Sequence, residues 1–166
     1  MAELTNLESK LGEVVGLAMA AQEAGQKVAK LAQDDGNDEL VGELERMREE
    51  AQQTAERGTE VAGTFEGKKT AILDEANEVK QKAKQMMKTY LDEASDALDG
   101  FEFLTMAEAG EVGHWEILGT LNERARNSEV SSLVDWALPI QKRHLDTVRK
   151  ASLELASEED PNETSS

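Results

Sequence analysis

The chain has 166 residues, enough for one domain with a substantial core and too few for two domains of ordinary size. Its 35 acidic residues outnumber its 18 basic residues and give a formal net charge of −17, which disfavours a nucleic-acid partner because phosphates would be repelled over most of the surface. Only 4% of the residues are aromatic and only two are proline, which favours helix over sheet. We therefore expect an all-α protein.

The sequence predicts neither a leader peptide nor a membrane partner. The segment MAELTNLESKLGE has no basic and apolar regions of the leader type, and no apolar run approaches about 18 residues. We therefore expect a cytoplasmic protein. Because the chain has no cysteine, any metal ion would be held by carboxylate, imidazole or amide groups.

The first half of the chain predicts two helices. The first runs from Thr5 to about Gln33, and TNLE at its start is a capping box in which Thr5 and Glu8 satisfy each other's backbone N–H groups. QDDGND then forms a turn with Asn37 as the next cap. The second helix carries a stripe at alternating spacings of four and three: Leu40, Leu44, Met47, Ala51, Thr54, Gly58, Val61 and Phe65.

Three further helices are predicted. The third carries a stripe from Ile72 to Ala94 and ends near Gly100, the fourth covers about 101–125, and the fifth covers about 129–156 after a cap at Asn127 or Ser128. Short polar turns between long helices favour an antiparallel four-helix bundle with one additional helix over residues 1–157, followed by a disordered acidic tail, 158–166. The charged third helix is also compatible with a hydrophilic stress protein that is only partly ordered in isolation.

Polar residues interrupt the apolar stripes of the last two helices. Glu111 and His114 lie in the fourth-helix stripe Leu104, Ala107, Glu111, His114, Leu118, Leu121 and Ala125. Gln141 and His144 occupy the corresponding positions in the stripe of the fifth helix. His114 and His144 are the two histidines of the chain. Residues at i and i+3 share a helix face, so the two pairs should meet if these helices are antiparallel neighbours. Burying such groups unpaired costs several kcal/mol, so they need hydrogen bonds or a cation.

This constellation predicts a metal site. Glu111, His114 and His144, with Gln141 as a weaker ligand, would suit a divalent ion, with iron or manganese favoured over zinc. Glu23 on the first helix and Glu50 on the second are the reserve carboxylates. The alternative is a buried hydrogen-bonded network that only fixes the register of the helices.

Three stretches resemble the YciE/YciF-type ferritin-like proteins of bacterial stress responses, over about residues 7–157. They are GKKTAILDEANEV, DALDGFEFLTMAEAGEVGHWEIL and SLVDWALPIQKRHLDTV. The resemblance implies a ferritin-like bundle whose dimetal members carry glutamates on two helices and ExxH on two others. Here Gln22 and Gln141 stand where acids would be expected, so a single ion or a metal-free relative is expected instead of a dinuclear centre.

Two functions remain open at this level. The first is a metal-binding ferritin-like protein of the bacterial stress response, which could react with dioxygen or peroxide if the ion has open positions. The second is a non-enzymatic structural or partner-binding bundle that has lost the metal site. A homodimer is possible for either, and an exposed Trp136 or Phe101 would mark its face.

Overall fold

The computed structural model describes residues 2–164, and every regular element in that range is an α-helix. The all-α prediction is confirmed. The five helices are α1 (Asn6–Asp34), α2 (Asp38–Ala62), α3 (Lys69–Tyr90), α4 (Ala97–Ala125) and α5 (Ser128–Ser157). None of these helices is both long and apolar enough to cross a membrane.

Three helices begin at the predicted caps. At the start of α1, the Thr5 N–H donates to Glu8 Oε2 at 2.8 Å and the Glu8 N–H donates to Thr5 Oγ1 at 3.2 Å. Asn37 accepts from the Leu40 N–H at 3.2 Å before α2. Asn127, one of the two residues predicted to cap the last helix, is the cap of α5. These side chains satisfy N–H groups that the first helical turn leaves without partners.

The boundary between α3 and α4 differs from the prediction. α3 ends at Tyr90 instead of near Gly100, because Leu91 is extended (φ −119°, ψ 120°) and its side chain is buried. α4 begins at Ala97, four residues earlier than expected, because Asp96 and Asp99 form a capping box with N–O distances of 2.9 and 3.0 Å. A second capping box, which apolar periodicity does not reveal, therefore decides where α4 starts.

Helix packing creates two apolar clusters with a polar layer between them. α1 contacts α2, α3 and α4, while α5 contacts α2 and α4. One cluster contains Trp115 of α4 and Ala137 of α5. The other contains Leu104 of α4 and Val148 of α5. The residues between these positions include the predicted site residues of α4 and α5. The candidate site therefore lies at mid-length, where each helix is flanked by apolar core on both sides.

α3 is attached to α1 mainly through its first half. Gly12 and Gly16 of α1 face the backbone of α3, and a Cβ on Gly12 would lie only 2.7 Å from the carbonyl oxygen of Ile72. Ile72 and Ala76 are the buried residues of α3, whereas its second half is half-buried or exposed. The glycines permit this close approach of α1 and α3. The second half of α3 lies beside α1 and α4, and the three helices line a common pocket.

The two aromatic residues considered for a dimer face are both engaged within the chain. Phe101 is completely buried in one apolar cluster. Trp136 packs against the other cluster, and the Arg57 guanidinium lies 4.1 Å from its ring centroid. Residues 158–164 are exposed and include a turn in which Glu163 N–H donates to Asp160 O. The predicted disorder of the tail remains a prediction, and its last two residues, 165–166, lie outside the described range.

Candidate functional site

The buried face of α4 keeps Leu104, Glu111 and Leu118 of the predicted stripe, but Glu108 and Trp115 replace Ala107 and His114. Its core residues include Leu104, Glu108, Glu111, Trp115 and Leu118, again at alternating spacings of four and three. Trp115 is 2% exposed, whereas the His114 side chain is 38% exposed. Successive helical residues differ by about 100° in direction, so these two neighbours point to different sides of the helix. The large apolar indole takes that position, and the imidazole is left at the edge.

The buried face of α5 agrees with the predicted stripe. Gln141 and His144 are both buried, and Ala137 and Val148 continue the same face. The prediction that the polar residues of α4 and α5 should meet is therefore met in part. Glu111 and Gln141 are in contact, whereas His114 contacts α1 and His144 contacts α2.

A buried carboxyl pair, Glu108 and Glu111, occupies the centre of the site. The Gln141 side-chain amide donates from Nε2 to an oxygen of each carboxyl group. Burial raises the pKa of Glu108 to about 7. Burial, followed by the charge of Glu108, raises the pKa of Glu111 well above its ordinary value. Two carboxylates this close cannot both ionise cheaply away from water, so the pair retains at least one proton near neutral pH.

A second group lies between α2 and α5. The Arg143 guanidinium donates to both carboxylate oxygens of Glu50, with Nη1 at 2.8 Å from Oε1. His144 Nε2 lies 3.2 Å from Glu50 Oε1. The hydrogen bonds from Arg143, ahead of those from His144, lower the pKa of Glu50 to about 2, whereas burial lowers the pKa of His144. The arrangement is that of an ionised Glu50 accepting from a neutral imidazole, which leaves Nδ1 of His144 unprotonated.

The remaining predicted ligands lie elsewhere. His114 Nδ1 is 3.2 Å from Lys10 Nζ and 3.3 Å from Glu13 Oε2, both on α1. Burial and the charge of Lys10 lower the pKa of His114. Glu23 is 3.4 Å from Lys84 of α3 at the surface. Neither residue contacts the carboxyl pair, so the structure divides the six predicted ligands among four places.

Glu108 is the central residue that the sequence argument missed. The signal was present, because Glu108 lies three residues before Glu111 and seven before Trp115, on the same helical face. A stripe that kept Trp115 in the core would have included it. Within residues 2–164, no three side chains of His, Cys, Asp or Glu are grouped closely enough to hold a metal ion. The buried carboxyl pair supplies two such side chains, and Gln141 supplies an amide beside them.

Comparison with known proteins adds no relative. No family model, no curated protein and no solved structure matches this chain.

Proposed function

We propose that this protein is a cytoplasmic ferritin-like bundle of the bacterial stress response that binds one divalent transition metal ion at the buried carboxyl pair. In this proposal α1, α2, α4 and α5 form an antiparallel four-helix bundle, with α3 as the additional helix outside it. The contacts between α1 and α2 support the antiparallel arrangement, because Gly25 faces Arg48 whereas Gly58 faces Val15. The hydrogen bonds of α4 to α5 support it too, because Thr105 meets Ser152 while Glu108 meets Gln141.

One observation carries the metal proposal: Glu108 and Glu111 are buried, adjacent and without a cationic side chain as their partner. Their raised pKa values mean that the pair retains at least one proton near neutral pH. A divalent cation can displace the retained proton, since two ionised carboxylates balance its charge. A buried acidic pair at mid-length is the donor set that a bundle-core metal site requires.

The other polar residues define how far the donor set extends. The Gln141 amide could turn over and offer its oxygen in place of its NH₂ group. His144 lies one helical turn along α5 on the same buried face and could add an imidazole nitrogen. Glu50 is already held by Arg143 and His144, which makes it a partner of His144 instead of a metal ligand. These donors are enough for one ion, and oxygen-rich donors with one imidazole favour iron(II) or manganese(II) over zinc.

A second candidate function has its own supporting observation. In the described part of the chain, every buried side-chain nitrogen and oxygen atom has a hydrogen-bond partner. The polar layer is therefore complete without an ion, as expected of a structural or partner-binding bundle in which Gln141 fixes the register of α5 against α4. The two candidates predict opposite results when metal is added.

The test is metal binding by equilibrium dialysis at pH 8 with manganese(II) and, without oxygen, iron(II). The proposal expects one ion per chain, and at least about tenfold weaker binding for Glu108→Gln and for Glu111→Gln, because each removes a charged ligand. Glu116→Gln, an exposed glutamate of the same helix, is the matched control and should bind normally. Binding that is absent, or equally reduced by Glu116→Gln, would leave the structural function in its place.

A further inference from the structure

A groove runs beneath the second half of α3, between that helix, α1 and α4. It has a volume of about 390 Å³, within the range of pockets that hold small ligands. Its walls are almost entirely apolar and include Leu17 and Ala21 of α1, Ala83 and Met86 of α3, and Phe103 and Met106 of α4. We refer to this space as the α3 groove.

Exposed apolar side chains surround the α3 groove. Met86 is 51% exposed and Met106 is 41% exposed, although both line the groove. Methionine side chains are flexible and polarisable, so they adapt to ligands of differing shape. An occupant with an apolar body would remove these side chains from water, which contributes favourably to binding.

The charge at the rim of the groove is opposite to that of the whole protein. The segment from Val79 to Tyr90 reads VKQKAKQMMKTY, with four lysines and no acidic residue, in a chain of net charge −17. Lys82 and Lys84 line the groove, and Lys84 also pairs with Glu23 at 3.4 Å. Surface charges beyond about 8 Å are screened at physiological ionic strength, so the local lysines decide the attraction felt by a ligand at the rim.

The acidic residues that line the groove are already engaged. The carboxyl groups of Glu108 and Glu111 accept from the side-chain amide of Gln141 on α5. A cationic ligand head would have to pass the rim lysines and displace this amide. An anionic head can stay at the rim in water, beside Lys82, while its chain occupies the apolar interior.

We propose that the α3 groove binds an anionic amphiphile of the long-chain carboxylate class, with its chain against Met86, Met106 and Phe103 and its head group at Lys82 and Lys84. This proposal does not rest on the metal proposal, although Glu108 and Glu111 also line the groove. The apolar walls supply the free energy of binding, and the lysines select the sign of the head group.

Two glycines of α4 provide a matched pair of variants. A Cβ on Gly110 or on Gly113 meets no atom within 4 Å, so both positions accept a larger side chain. Gly110 lines the groove, whereas Gly113 is not among its lining residues. Gly110→Leu should therefore fill the groove, and Gly113→Leu should leave it open.

The experiment is calorimetric titration of delipidated full-length protein with dodecanoate below its micelle concentration, with dodecylammonium as the comparison. We expect saturable dodecanoate binding that Gly110→Leu abolishes and Gly113→Leu retains. The double variant Lys82→Glu, Lys84→Glu should bind at least about tenfold more weakly. The double variant Lys27→Glu, Lys142→Glu, which changes the net charge equally at exposed positions outside the groove, should bind as the wild type does.

Several results would overturn the proposal. These are no saturable binding of dodecanoate, tighter binding of dodecylammonium, or equal losses in the two lysine double variants. A dimer that Gly110→Leu dissociates would also overturn it, because a second copy of the chain would then be the occupant. The lysine variants alter surface side chains, exposed at Lys82 and half-buried at Lys84, so they test the proposal even if Gly110→Leu does not fold. Metal binding measured on the same samples keeps the two proposals apart.

Discussion

Glu108 and Glu111, one turn apart on α4, accept hydrogen bonds from the same side-chain amide, that of Gln141 on α5. A single neutral donor therefore links two carboxyl groups in the core of an acidic protein. Since burial raises the pKa of both carboxyl groups, the pair exchanges protons near neutral pH, where most surface carboxylates are ionised.

The carboxyl pair should make the protein less stable as pH rises. In the unfolded chain Glu108 releases its proton near its ordinary pKa of 4.5, whereas in the folded protein it does so at about 7. Between these values the folded state binds more protons, so the free energy of unfolding falls with increasing pH, by on the order of 3 kcal/mol for Glu108 alone. Glu111 adds to the loss in the same direction.

Urea unfolding between pH 4.5 and 8 measures this effect. The double variant Glu108→Gln, Glu111→Gln should have a much flatter pH dependence and exceed the wild-type stability at pH 8. Glu116→Gln, exposed on the same helix, should keep the wild-type slope. Parallel curves for the wild type and the double variant would show that the pair is ionised in both states.

Gln141→Glu tests whether this position decides between metal binding and a metal-free core. The change replaces the amide donor by a third buried acid, which costs several kcal/mol without a cation, so we expect the melting temperature to fall by roughly 10 °C. Manganese(II) should restore much of that stability, because an ion offsets the added charge. Gln141→Met, which removes the amide without adding charge, is the control. Equal responses of both variants to the metal would contradict the prediction.

The two histidines should differ in their contributions to stability. The His144 side chain is 4% exposed and holds Glu50, so His144→Ala leaves a cavity and a carboxylate with one partner fewer. We expect a loss of about 2 kcal/mol or more in the free energy of unfolding. His114 lies at the groove edge beside Lys10, and His114→Ala should cost less than about 0.5 kcal/mol. Equal losses in chemical denaturation would mean that the two environments are wrongly assigned.

The attachment of α3 should depend on the close approach at Gly16. A Cβ there would overlap the carbonyl group of Ala76, so Gly16→Ala should destabilise the contact of α1 with α3 by about 2 kcal/mol. Hydrogen exchange in α3 should accelerate before that in α5. Gly110→Ala has open space at Cβ and should stabilise the helix by about 0.5–1 kcal/mol. Unchanged exchange in α3 of Gly16→Ala would exclude this mode of attachment.

The helices could be predicted because their signals are local. Thr5, Asn37 and Asn127 each satisfy N–H groups within three residues, and no distant partner is needed. The boundary between α3 and α4 was predicted less well. Leu91 lies outside the helix and packs in the apolar cluster that contains Leu104 and Val148. This tertiary contact outweighs the helical periodicity of the segment.

The types of residue in the site could be predicted from the sequence. Which of these residues contact one another could be predicted only in part. Glu111 and Gln141 meet as expected, and Glu50 does lie beside His144. Periodicity allowed two stripes on α4, one with His114 and one with Trp115. The choice between them depends on which side chain buries more apolar surface against neighbouring helices, which a single helix does not specify.

Local sequence signals specify the helical class, the capped starts of α1, α2 and α5, and the presence of buried polar residues at mid-length on the last two helices. These features can be predicted because capping and periodicity act over a few residues. Packing between the helices determines that Glu108 lies beside Glu111, that His114 contacts α1, and that α3 leaves an apolar groove with a basic rim. Those outcomes depend on packing between helices distant in sequence, where burial of Trp115 and the close approach at Gly12 and Gly16 outweigh local preference.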